Sequence, residues 1–112
     1  MARVEITERL EEEIKKKFKK DSKKIFKLMC SLEDNPKKGK LLGVIGGIAL
    51  KEIKYKSFRF YFVADKQEIL FLEENQLNNL LIKFVRMSHK KQQQETINEI
   101  RKILINICPK GL

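Results

Sequence analysis

Lys54, Lys56 and Arg59 stand within IKYKSFRFYFVADK (residues 53–66), the most strand-like run of the chain. Farther on, LIKFVRMSHKK (residues 81–91) contains Lys83, Arg86, the single histidine His89, and Lys90 and Lys91. These residue types suit phosphodiester chemistry. A guanidinium stays charged and grips two phosphate oxygens at once, stabilising the charge that builds up at phosphorus. An imidazole titrates near neutrality and can move protons. A lysine acting as base must be neutral, and an ordinary lysine is neutral in only about one molecule in a few thousand at pH 7. Crowding by neighbouring cations and exclusion of water are the two routes to that state. The residues therefore suggest a catalytic set of Lys54, Arg59, Arg86 and His89. The base is left open between Lys54 and His89. An RNA-binding surface of Lys56, Tyr61, Lys83, Lys90 and Lys91 would surround them.

These side chains need a sheet to carry them. On the run from Phe58 to Ala64, Phe58, Phe60 and Phe62 point one way and Arg59, Tyr61 and Val63 the other. With the phenylalanines in the core, Arg59 and Tyr61 face outward, where Tyr61 can stack on a base. Lys54 and Lys56 share a parity in the preceding strand, Leu50 to Tyr55, and reach the same side. Further strands are expected at Arg3 to Ile6, Glu68 to Leu72 and Leu80 to Met87, with a polar loop from Glu73 to Asn79. Leu41 to Ile45 reads as an apolar loop docked on the core.

Helices fill the rest. Thr7 is a helix N-cap followed by acidic residues, and Leu10, Ile14 and Phe18 form one stripe. Ile25, Met29 and Leu32 mark a second helix ending before Asn35-Pro36. Ile97, Ile100, Leu104 and Ile107 mark a last one, stopped by Pro109. The expected fold is a single α+β domain. An N-terminal strand and helical hairpin pack on one face of a twisted antiparallel sheet, a C-terminal helix follows, and the other face is left for function.

Composition bounds the partners. The 112 residues include 25 Lys and Arg against 15 Asp and Glu, a formal charge of +10. Such a surface attracts polyanions, nucleic acid first. Eight lysines lie between Lys15 and Lys27, with Asp21 the one acid among them; they read as a solvated face or a surface that tracks a phosphate backbone. Cys30 and Cys108 are too few for a disulfide framework and read as buried or half-buried thiols. No metal or cofactor is expected. With no apolar run of membrane length and no secretory leader, a cytoplasmic protein is expected.

The order of elements, the NP-x-x-G turn after the helical hairpin, LKEIKYKSFRFYF and LIKFVRMSHKKQQQETINEI together resemble RelE/HigB-type toxins of toxin–antitoxin modules. The resemblance covers nearly the whole chain. It implies a RelE-like toxin that cleaves messenger RNA on the ribosome without a metal, through attack of the 2′-hydroxyl, and that is neutralised by a cognate acidic antitoxin. Arg59 fits the arginine of the family's Y-R-I-x-Y strand, and Phe58 the aromatic place before it. Lys54 and Arg86 fit basic positions of the preceding and last strands, and His89 and Lys90 fall in the lysine-rich segment that follows. Glu52 stands where some members carry lysine, and no tyrosine lies near the C-terminus, so the proton donor is unassigned. The same fold includes ParE-type toxins that act on DNA gyrase, and an inactive RNA- or antitoxin-binding relative is a third reading.

Overall fold

The structure, a computed structural model, describes residues 2–72 and 80–107. The expected loop at 73–79, Cys108 and Pro109 lie outside the described residues. In chain order the elements are β1 (Arg3–Ile6), α1 (Glu8–Phe18), α2 (Ser22–Cys30), β2 (Lys40–Ile45), β3 (Ile48–Tyr55), β4 (Phe58–Asp65), α3 (Lys66–Phe71), β5 (Leu81–His89) and α4 (Gln93–Ile107). The five strands form one sheet in the order β1-β5-β4-β3-β2. This α+β architecture agrees with the class expected, but four features of the expectation need correcting.

The sheet is mixed rather than antiparallel, because β1 runs parallel to β5, with Arg3 opposite Leu81 and Ile6 opposite Phe84. Residues 41–45 are not a docked loop; they form most of edge strand β2, paired antiparallel with β3 through a tight turn at Gly46, whose φ is +62°. Residues 68–71 are helical instead of extended. Asp65 accepts a hydrogen bond from the Glu68 backbone N–H at 3.1 Å, an N-cap that starts α3. Finally, the helices cover both faces of the sheet.

On one face, α1 and α2 bury Leu10, Ile14, Ile25 and Met29 against Ile53, Phe60, Phe62, Ile82 and Phe84. Thr7 caps α1 as its sequence suggests, its hydroxyl accepting from the Leu10 N–H at 3.3 Å. Cys30 lies one residue off the Ile25–Met29–Leu32 stripe, about 100° around the helix, and is exposed rather than buried. On the other face, Ile97, Ile100 and Leu104 of α4 pack on Ile45, Leu50 and Tyr61.

The 34–39 turn docks on the first face through Gly39. Its φ is +104°, and a Cβ there would lie 2.9 Å from the Glu52 carbonyl oxygen and 3.0 Å from the Phe62 ring. Beside it, Lys51 is only 5% exposed. Its ammonium donates to the Lys37 carbonyl at 2.9 Å and lies 5.9 Å from the centroid of Phe62. Among the described residues no helix is long and apolar enough to cross a membrane.

Candidate phosphate-binding site on the α4 face

The β3–β4 hairpin is closed by Lys56 and Ser57, so that Lys54 pairs with Arg59 and Glu52 with Tyr61. Residues directly opposite in an antiparallel pair project to the same face. Lys54 and Arg59 therefore share the α4 face of the sheet. Lys54 is exposed and Arg59 half-buried. α4 begins level with the next rung, where Gln93 donates from Nε2 to Glu52 Oε2 at 2.9 Å. The rung of Lys54 and Arg59 thus lies just beyond the first turn of α4, at the end of the sheet this helix leaves uncovered.

Arg59 is folded back toward the hairpin turn. Its Nη1 donates to the Phe58 carbonyl at 3.2 Å and makes a longer contact, 3.5 Å, with that of Lys56. Its Nε is buried and has no hydrogen-bond partner among the described residues. A guanidinium with a desolvated N–H and no counter-ion among the described residues is suited to an anionic oxygen, because an unmet buried donor costs free energy that such a ligand would recover.

The remaining candidates are spread by one feature of β5. Tyr61 faces Arg86, but the next residue, Phe62, faces Phe84, so Val85 is an extra residue in β5. A one-residue bulge reverses the face taken by every side chain beyond it. Arg86 is thereby turned onto the α4 face, two residues or about 6–7 Å from the Arg59 rung. There it meets Glu99 of α4, Nε to Oε1 at 3.1 Å, and its Nη1 donates to the Val85 carbonyl at 2.8 Å.

The same bulge turns His89 away. It stands opposite Phe58, on the α1–α2 side, with the rings perpendicular and 5.3 Å apart. Its Nδ1 accepts from the Lys91 N–H at 3.2 Å. The expected grouping of Lys54, Arg59, Arg86 and His89 is therefore reduced to Lys54 and Arg59, with Arg86 nearby in an ion pair and His89 on the opposite face.

Three expected RNA contacts also move. Tyr61 is fully buried, against the expectation of an outward stacking ring, because α4 covers it. Its hydroxyl hydrogen-bonds Ser88 Oγ at 2.7 Å, and burial pushes its pKa up. Lys56 leaves the parity of Lys54 because it occupies the turn with φ of +54°, its ammonium 5.5 Å from the centroid of Tyr55. Lys83 pairs with Val63, four residues and about 13 Å along the strand from Arg59.

Lys90 and Lys91 remain close to the site. The Lys90 N–H donates to the Ser57 carbonyl at 2.8 Å, which ties the end of β5 to the hairpin turn. Sequence reading passed over Gln93, Ser88 and Lys51. The parity that Glu52 shares with Lys54 was visible, but its partner on α4 required the tertiary fold. Lys51 is the lysine whose pKa is held below the ordinary value, by burial first and by Lys37 second. It sits on the α1–α2 side of the sheet, opposite Phe62, away from the Lys54–Arg59 rung.

The arrangement can hold one phosphate between an exposed ammonium and a half-buried guanidinium, with further cations at its rim. Comparison of the chain with family models, with curated proteins and with solved structures returned no match.

Proposed function

We propose that this protein is a RelE-like toxin that cleaves messenger RNA on the ribosome, and that Lys54 and Arg59 hold the scissile phosphodiester. The observation that carries the reading is the cross-strand pairing of Lys54 with Arg59 beyond the end of α4, with the Arg59 Nε buried and unpartnered. In this reading the 2′-oxygen attacks its own phosphorus, a P–O2′ bond forms, and the P–O5′ bond breaks. Arg59 stabilises the charge that develops on the phosphoryl oxygens. The proton of the 2′-hydroxyl passes to a water molecule, because Lys54 holds the phosphate as an exposed ammonium and His89 lies across the sheet. The leaving O5′ takes a proton from water or a lysine ammonium.

The net charge of +10 supports the expectation of a disordered, acidic antitoxin that folds over this face and covers Arg59 or Arg86. The test is controlled expression of the wild type and of Arg59→Ala in a bacterial host, with mapping of new 5′ ends in message. Ribosome-phased cuts should accompany growth arrest. In Arg59→Ala the cutting rate should fall on the order of 10²- to 10³-fold, as expected when a transition-state donor is removed. Arrest without cuts would transfer the protein to a gyrase-type target, and cutting by Arg59→Ala at the wild-type rate would remove Arg59 from the site.

A further inference from the structure

A second cationic feature lies on the same side of the sheet, outside the Lys54–Arg59 rung. Between β2 and the first turns of α4 runs an open groove of about 570 Å³. Its cations are Lys40, Lys90, Lys91 and Arg101, joined by the amides of Gln93 and Gln94, and among the described residues no acidic side chain lines it. Most of its lining is polar, unlike the apolar cleft between α4 and β5 that contains Val63, Val85 and Ile103.

Arg101 is the fixed member of this set. Its Nη2 donates to the Leu42 carbonyl at 3.3 Å, across the bulge that β2 makes between Leu41 and Gly43. Gly43 has no side chain there, and a Cβ at that position would lie 2.8 Å from Arg101 Nη2. The guanidinium therefore occupies space that the edge strand leaves open, with its remaining N–H donors available to the groove. The 15-residue α4 starts at the same place and adds the positive end of its dipole. Lys40 stands opposite Glu52, whose carboxylate accepts from Gln93, and Lys54 follows Glu52 on the same face, so the buried Glu52 separates the groove from the Lys54–Arg59 pair.

From this geometry we infer that the β2–α4 groove is a second phosphate-binding site, which tracks the backbone of a single-stranded RNA, with Arg101 as its anchored cation. The identity of the ligand rests on the nuclease reading above; the site itself rests on the groove. Cations spaced along a trough fit successive phosphates, and glutamine amides can both donate to and accept from sugars and base edges.

The test uses the full chain and a short fluorescein-labelled 2′-O-methyl oligonucleotide, which lacks the attacking hydroxyl and cannot be cut. Binding is followed by anisotropy across a salt series for wild type, Arg101→Gln, Lys40→Gln and Gly43→Ala. Each charge removal should weaken binding roughly threefold or more and reduce the slope of log K against log salt by about 0.7. Gly43→Ala should weaken binding in the same direction by displacing the guanidinium, with all charges retained. Thermal melts of each variant confirm that the fold persists. Wild-type affinity and slope in both charge variants would overturn the site. So would an acidic peptide, poly-glutamate, whose binding needs Arg101 while that of the oligonucleotide does not. The two readings fail separately. Weakened oligonucleotide binding by Arg101→Gln, with no ribosome-phased cuts by the wild type, keeps the groove and removes the nuclease; cuts together with undiminished binding do the reverse.

Discussion

The two faces of the sheet are built from alternate residues of the same strands, yet they serve different ends. On the α1–α2 face, Phe60 and Phe62 are fully buried with Ile14, Ile25 and Met29, and the packing runs the length of β4. On the α4 face, the apolar packing stops at Tyr61, and on the next rung Lys54 is exposed and Arg59 half-buried. One face is closed by α1 and α2 together with Ile69 of α3; the other is covered by α4 as far as Tyr61. The difference shows how a small domain can carry a cationic site on its sheet: the apolar set is concentrated on the opposite side, so cations need not compete with it for burial.

The comparison can be broken most directly at Phe60. Phe60→Ala should cost about 3–5 kcal/mol, whereas Leu104→Ala, on a helix that covers only part of its face, should cost about 2 kcal/mol. Urea denaturation of both variants checks this; equal losses would make the two faces energetic equals. The hydrogen bond between Tyr61 and Ser88 offers a smaller test. Ser88→Ala leaves the buried phenol without its partner and should cost about 1–3 kcal/mol, while adding Tyr61→Phe should restore part of the loss. A double variant less stable than Ser88→Ala would show that the phenol finds another partner under α4.

The smallest effect concerns Lys51, among the described residues the one lysine buried on the closed face. Its pKa is lowered by burial and by Lys37. The sign follows from linkage: between the lowered folded value and the ordinary value of 10.5, the unfolded chain binds more protons at this group. Stability contributed by Lys51 should therefore rise with pH as the ordinary value is approached from below. Chemical denaturation of wild type and Lys51→Met over that range should show the wild type gaining on the variant. A difference that stays flat or shrinks would mean that Lys51 keeps its proton in the folded state as readily as in the unfolded one.

Much of this contrast was legible in the sequence, for identifiable reasons. The stripe of Leu10, Ile14 and Phe18 behind the Thr7 cap has the helical period, and the alternation of Phe58 to Val63 assigns its faces correctly. It was the inference that the second face is open that failed, because Tyr61 needs α4, and α4 reaches it only in the tertiary fold. The pairing of Lys54 with Arg59 follows from the two-residue turn at Lys56-Ser57, which is local. The positions of Arg86 and His89 do not, because the Val85 bulge between them and Phe84 exchanges faces, and alternation counted along β5 cannot reveal an unpaired residue. Helix α3 had a local signal: Asp65 followed three residues later by Glu68 has the spacing of a capping box.

The place of β5 in the sheet has a consequence for how the protein is made. This strand lies between β1 and β4, so a strand that follows β2, β3 and β4 in the chain occupies the interior of the sheet. While the chain is still growing, the β2–β3–β4 meander can pair locally, but β1 has no neighbour to join, and Arg3 must wait for Leu81. Contacts so distant in sequence form slowly and late. The nascent chain therefore passes through a stage in which the edge of β4 is bare and open to another strand. Insertion of β5 joins β1 to the meander, and a chain cut short before it would possess the basic hairpin without the strand that links the two parts of the sheet.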